Sequence, residues 1–181
     1  MHGTRIHLFG ASGSGTTTLG QAVAKRTRMP FFDVDSYYWK QTDPPFAEKR
    51  PIDERVAALE QDIDDARGWV LSGSMCGWGD LLIPRFSLAV FIHLDPTVRM
   101  QRLSNRERGR YGDRIGPGGD MQNIHREFME WAVQYDSAEL DMRSFKLHQE
   151  WIRALPCPVL RLDSNNSLDV LTDKVITGIN R

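Results

Sequence analysis

Cysteine is scarce in this chain, long apolar runs are absent, and charge of neither sign dominates. Cys76 and Cys157 are the only two cysteines, and neither lies at a spacing that builds a metal site or a disulfide framework. No apolar stretch approaches the roughly 20 residues needed to cross a bilayer, and the first residues carry no secretory-leader pattern. A reduced, cytoplasmic setting without membrane contact is the expectation. Lys and Arg number 23 against 24 Asp and Glu, a net charge of −1. Such a chain exerts no global pull on polyanions, so a nucleic-acid-binding role is not expected. Repeats, low-complexity tracts and long linkers are also missing, and 181 residues suit a single domain, 1–181, with a sizeable core.

What the chain has is glycine concentrated in one place. Gly10-Ala11-Ser12-Gly13-Ser14-Gly15-Thr16-Thr17-Thr18 follows an apolar run, Ile6 to Phe9, and leads into a helix-compatible stretch. Strand, glycine-rich turn and helix together make the context in which successive backbone N–H groups and a helix N-terminus cradle a phosphate. Glycine lowers stability where close backbone approach does not require it, so three within six residues favour that reading over a plain turn. The candidate nucleotide-binding residues are Gly10, Ser12, Gly13, Ser14, Gly15, Thr16, Thr17 and Thr18. The pattern G-x-x-x-x-G-K-[ST] fits at Gly10, Gly15 and Thr17 but fails at the lysine, where Thr16 stands. Losing a charge-assisted contact to phosphate forfeits about 1.5–3 kcal/mol. Losing a preorganised donor in the transition state slows transfer by ~10²–10³-fold.

The rest alternates strand and helix patterns. Residues 5–9, 30–33, 69–71, 88–94 and 158–162 read as strands. Residues 16–27, 52–67, 95–107, from about 120, 138–155 and 168–179 read as helices. Alternation of this kind implies a parallel sheet with helices on both faces, whose ligands bind beyond the carboxyl ends of the strands. The phosphate loop, Asp33 and Asp35, the loop from Gly73 and Asp95 all follow strand ends and are expected on one rim. Asp33 and Asp35 lie two apart, so on a strand they point the same way. Asp33 is the candidate to hold Mg²⁺ with Thr17, and Asp35 to accept a hydroxyl proton or orient the acceptor. Residues 36–51 read as an aromatic and basic loop opening an acceptor-binding region of about 36–67. Tyr38, Arg50 and Gly73 join Asp33 and Asp35 as candidate substrate-binding residues.

Residues 108–119 hold five glycines and a proline among Arg108, Arg110 and Arg114. With no core-facing pattern, they read as a mobile, exposed lid over about 106–119. Arg106, Arg108, Arg110 and Arg114 are its candidate cations, with Arg106, Arg110 and Arg114 assigned to catalysis beside Asp35. His7 and His93 read as packed or edge residues, His125 and His148 as helix-surface residues, and Phe128 and Trp131 as core. Tyr37, Tyr38, Trp39 and Trp78 are either stacking platforms for a substrate ring or core residues. Cys76 has no partner that would activate it.

At these residues the chain resembles the nucleoside monophosphate kinase branch of phosphate-loop proteins, the relatives of adenylate kinase and shikimate kinase. The resemblance spans nearly the whole chain. Phe31-Phe32-Asp33-Val34-Asp35 is similar to the shikimate-kinase strand ending in D-x-D. Residues 69–73 resemble the third strand, and Phe91 to Pro96 with Arg99 and Arg102-Leu103 resemble the adenylate-kinase fourth strand and helix. The resemblance implies a five-stranded parallel sheet in the order 2-3-1-4-5, ATP and Mg²⁺, and phosphoryl transfer to a small acceptor. Thr16 departs from the family, as does Ser72, which stands where adenylate kinases carry an acid. The expectation is an ATP-dependent small-molecule kinase, monomeric or homodimeric, acting on a nucleotide, nucleoside or small hydroxylated metabolite. The alternative is a catalytically impaired nucleotide-binding regulatory protein.

Overall fold

The computed structural model describes residues 3–179. Strands β1 (Arg5–Gly10), β2 (Phe31–Asp33), β3 (Trp69–Ser72), β4 (Leu88–His93) and β5 (Val159–Asp163) form one five-stranded sheet in the order β2-β3-β1-β4-β5. Every pairing is parallel. The helices are α1 (Thr16–Thr27), α2 (Val34–Tyr38), α3 (Ile52–Asp64), α4 (Pro96–Tyr111), α5 (Gln122–Val133), α6 (Phe145–Arg153) and α7 (Leu168–Ile179). No helix among the described residues is long and apolar enough to cross a membrane.

Side chains alternate across a strand, and here both faces are apolar. Ile6, Leu8, Val70, Val90 and Ile92 face Leu19 and Val23 of α1 and Leu171 and Val175 of α7. Phe9, Leu71 and Phe91 face the other way, onto Val56, Leu59 and Ile63 of α3 and Trp151 and Ile152 of α6. Burying each such side chain contributes about 1.5–3 kcal/mol, which holds the sheet between its two helical layers. His7 belongs to the second face. It is fully buried, and its ring stacks at 5.3 Å on Phe9 and 4.8 Å on Phe86.

Several elements differ from their sequence reading. Residues 108–119 are not one flexible segment: α4 runs through Arg108 and Arg110 to Tyr111, and a 3₁₀ turn, Gly112–Ile115, follows. Asp95 caps α4, accepting from the N–H groups of Thr97 (2.9 Å) and Val98 (3.2 Å), with Pro96 in the first turn. That firm start lets the helix tolerate Gly109. The helix expected over 138–155 forms only as α6, because Ser144 caps it by accepting from Leu147 N–H at 3.0 Å. The loop expected from Ser36 opens instead with α2. Its remainder is pinched into a two-stranded arm by a bridge between Trp39 and Lys49, with Lys40 N–H on Glu48 O and Arg50 N–H on Tyr38 O, both at 2.9 Å.

Candidate active site

Gly13 (φ +85°) and Gly15 (φ +97°) hold the loop after β1 in left-handed backbone that other residues rarely adopt. Ser14 N–H turns back onto Ala11 O at 3.1 Å. Among the described residues, no backbone carbonyl takes the N–H groups of Gly13, Gly15, Thr16, Thr17 or Thr18. These donors open α1, which carries no acidic residue in its first turn. A concave row of unpaired amides at a positive helix end is an anion cradle. Ser14 is fully buried with an unpartnered hydroxyl in the same loop.

Thr17 Oγ1 donates to Asp33 Oδ2 at 3.0 Å, which brings two hard oxygen ligands together beside the amides. The donor set fits MgATP: Mg²⁺ takes one or two protein oxygens and keeps water and phosphate for the rest. Ser72 ends β3 in register with Asp33, and its buried hydroxyl has no partner.

Asp33 and Asp35 do not share one strand, as their spacing suggested. Asp33 ends β2 and caps α2, its Oδ1 accepting from Asp35 N–H at 3.0 Å, while Asp35 sits in the first turn of α2. The two carboxylates still meet at the rim. Asp35 is exposed by accessible surface, although neighbouring protein groups partly desolvate its carboxyl. This desolvation, and then repulsion from Asp33, raises its pKa above the usual carboxylate range. The guanidinium groups of Arg143, Arg106 and Arg110 pull the other way.

Because α4 is continuous, Arg99, Arg102, Arg106 and Arg110 follow a helical spacing down one side. Arg106 pairs with buried Glu107 at 2.8 Å and, with Arg110, acts on Asp35. Arg114 stands off the helix. It binds Asp120 and Asp43, each at 2.6 Å, and so ties the turn after α4 to the acceptor arm.

On the acceptor side, Gly73 is held at φ +109°, and an added Cβ would lie 2.7 Å from Val34 Cβ. Its N–H donates to Leu8 O at 2.9 Å, so the end of β3 is fixed against the sheet and α2. Tyr38 is half-buried under the Arg55 guanidinium, which lies 3.8 Å from the ring centroid. Arg50 spans the base of the arm, its Nε donating to Tyr37 O at 3.2 Å. Trp39 remains half-buried with Phe46 against it, whereas Tyr37 and Trp78 are core. Burial pushes the Cys76 thiol up to about 11, so it stays protonated.

Sequence reasoning missed four arginines or gave them no site role. Arg143 precedes α6, inside what reads as a helix, and its guanidinium lies 5.2 Å over the Trp131 ring. Arg55 is buried on α3, with its guanidinium over the Tyr38 and Trp78 rings. Arg99 is 1% exposed beneath the phosphate loop, donating to Ser12 O (3.3 Å), Ala132 O (3.1 Å) and Asp136 Oδ2 (2.7 Å). Arg102 donates to Ser164 Oγ at 3.2 Å beside Gly15. The detectable signal was the spacing of Arg99, Arg102, Arg106 and Arg110; nothing local marks Arg143. His148 is not a surface residue but fully buried, and Phe128 and Trp131 are half-buried rather than core. Other surface hollows, one bounded by Arg28, Pro30 and Asp62 and one between α1 and α7, lack converging reactive groups.

Comparison with known proteins agrees with this geometry. A family model described as "AAA domain" matches residues 6–130. The chain is 42% identical over 171 residues to the uncharacterized protein YqaC of Bacillus subtilis, covering 94% of each. It is 29% identical over 109 residues to a shikimate kinase of Bacteroides fragilis, covering 55% of this chain and 61% of that one. Among solved structures it resembles shikimate kinase from Bacteroides thetaiotaomicron (TM-score 0.63, 17% identity, 98% and 99% of the two chains). It also resembles a gluconokinase from Sinorhizobium meliloti (TM-score 0.53, 18% identity, 99% and 93%). The chain belongs to the AAA domain family and, with it, to the phosphate-loop proteins of nucleoside monophosphate kinase-like fold.

Proposed function

We propose that this protein is an ATP-dependent small-molecule kinase that phosphorylates a hydroxyl of an anionic acceptor held at Asp35. The observation that carries this reading is geometric: Asp35 opens α2 beside Asp33, which meets Thr17 of the phosphate loop at 3.0 Å, with Arg143, Arg106 and Arg110 near enough to lower the Asp35 pKa. Bound MgATP supplies the phosphoryl group and the metal charge that offsets its negative oxygens. The amides of Gly13, Gly15, Thr16 and Thr17 and the start of α1 hold the phosphates, with Thr17 and Asp33 as the metal-side oxygens. Asp35 orients the acceptor hydroxyl and takes its proton. Arg106 and Arg110 neutralise charge on the transferring group in place of the loop lysine. Arg143 and Arg55, with Tyr38 and Gly73, orient the acceptor, and Arg50 braces the arm. Arg114 is assigned to closure, through its pairs with Asp43 and Asp120. The chain works in the cytoplasm as a monomer or homodimer. A panel of nucleotides, nucleosides and anionic hydroxylated metabolites tests this: one class is expected to draw phosphate from ATP. Tight MgATP binding with transfer to none would overturn it.

Thr16 motivates the second reading, a nucleotide-binding regulatory protein that no longer transfers phosphate. Among the described residues, no Lys or Arg side chain hydrogen-bonds Thr16. Thr16→Lys separates the two. A kinase re-tuned around its arginines loses transfer when a second cation crowds the phosphates, whereas a decayed enzyme gains ATP hydrolysis, by about 10²-fold.

A further inference from the structure

The interior behind the rim contains a string of polar side chains that phosphate binding does not use. His148 on α6 is fully buried. Its Nε2 lies 2.9 Å from Ser74 Oγ and its Nδ1 lies 2.7 Å from Tyr135 OH. Ser74 follows Gly73 in the acceptor-side loop and is 3% exposed. Tyr135 is 4% exposed in the 3₁₀ turn Gln134–Asp136. The next residue, Asp136, holds Arg99 at 2.7 Å, and Arg99 lies 5.3 Å from the Tyr135 ring. Arg99 in turn donates to Ser12 O, and its own carbonyl oxygen would lie 3.0 Å from a Cβ placed on Gly13. A series of contacts therefore runs from the acceptor-side loop to the phosphate loop, buried at Ser74, His148, Tyr135 and Arg99 and open to solvent at Asp136.

Each link is specific in geometry. Burial drives the His148 pKa down to about 3, so the ring is neutral and offers one donor and one acceptor. It can serve both hydroxyls only if their O–H directions agree, so the ring fixes Ser74 and Tyr135 relative to one another. Three buried polar groups are costly unless all are satisfied, and apolar residues would fill this face of the sheet more cheaply. Phe9 and Phe91 meet the His148 ring edge-on at 5.3 and 5.9 Å, which leaves it no alternative seat.

We propose that His148 is a positioning residue: through Ser74 on one side, and Tyr135, Asp136 and Arg99 on the other, it sets the acceptor-side loop in register with the phosphate loop. The inference rests on the kinase reading for its purpose, but the mechanical link stands or falls separately. In-line transfer needs acceptor and phosphate positioned closely, so a rigid tie between their loops serves the reaction directly.

The test uses the whole chain of 181 residues and five variants: Ser74→Ala, Tyr135→Phe, the double variant, and His148→Gln and His148→Asn as conservative replacements of one ring nitrogen each, expected to move the same amide signals only on the side whose ring nitrogen is lost. Amide NMR signals are read without nucleotide, and MgADP affinity by calorimetry. Ser74→Ala is expected to move the Ser12 and Gly13 amide signals, and Tyr135→Phe to move both those and Ser74. Each single change is expected to weaken MgADP by about fivefold, and the double variant no further, since either cut opens the same string. The proposal is overturned if folded Ser74→Ala perturbs nothing beyond His148, or if the single effects add independently. A loss of melting temperature alone, with affinity within twofold, also overturns it. A wild-type protein that ignores MgADP but transmits Ser74→Ala to Gly13 supports the link and contradicts the kinase reading instead.

Discussion

Asp35 is held against its own charge. Its folded pKa lies above the ordinary value because the cleft desolvates it and Asp33 repels it. A carboxyl with a raised folded pKa contributes stability below its unfolded pKa and loses that contribution as pH rises through the folded value. At neutral pH the ionised group therefore weakens the fold. Asp35→Asn is expected to raise the melting temperature at pH 7 and to leave it unchanged near pH 3, while preserving MgADP binding. A lower melting temperature at pH 7 would show that the carboxylate is structural. His7 and His148 give the opposite slope. Burial lowers each to about 3 from 6.5. Between those values the unfolded chain binds more protons, so stability falls as pH falls from about 6.5 to 3, by up to about 1.4 kcal/mol per pH unit for each histidine. His7→Phe, in a slot already walled by Phe9 and Phe86, is expected to remove about half of that slope in melting temperatures taken from pH 7 to 4. An unchanged slope would place the proton elsewhere. At this scale the sequence was legible where structure is local: the glycine turn from Gly10 to Gly15 and the placement of Asp33 and Asp35 at and just after the end of β2. It gave Arg143 no role and placed His148 on the surface, because their partners come from elements far away in the chain.

α4 carries more of the site than its sequence advertises. Glycines 109, 112, 116, 118 and 119 read as a flexible stretch, but only Gly109 lies inside an α-helix, and one glycine in an α-helix costs about 1 kcal/mol. The strong cap at Asp95 and the buried Leu103 and Arg99 absorb that cost. The result is that Arg106 and Arg110, one turn apart, lie on the side whose charge lowers the Asp35 pKa, while Arg108 lies on another side of the helix. Arg106→Ala and Arg110→Ala are each expected to slow transfer by about 10–10²-fold, and Arg108→Ala by less than twofold, in steady-state assays. Equal losses at all three positions would mean that the segment acts as a diffuse basic patch. Arg114 tests the arm differently. Its pairs with Asp43 and Asp120 are exposed, so they are worth little in stability and weaken with salt. The pattern of α5 to α6 was misread for a physical reason: the Ser144 cap is a short-range signal inside a run that otherwise suits a helix.

The whole molecule follows from period and composition. Alternating strand and helix patterns, with apolar residues on both strand faces, leave a parallel sheet with two helical layers as the arrangement that buries them. The order β2-β3-β1-β4-β5 then puts Gly10, Asp33 and Gly73 at neighbouring strand ends. What the pattern does not specify is which distant side chains lean over that rim, because several arginines have suitable spacing and only packing chooses among them. The central claim is that Asp35 and its arginines support transfer without a loop lysine. It is tested most directly by following the γ-phosphate of labelled ATP in wild type and Asp35→Asn, across nucleotide, nucleoside and anionic hydroxylated acceptors. The account predicts label on one acceptor class in wild type and at least about 10²-fold less in Asp35→Asn, with equal MgADP affinity. Undiminished transfer in Asp35→Asn, or no transfer by a wild-type protein that binds MgATP tightly, would contradict it.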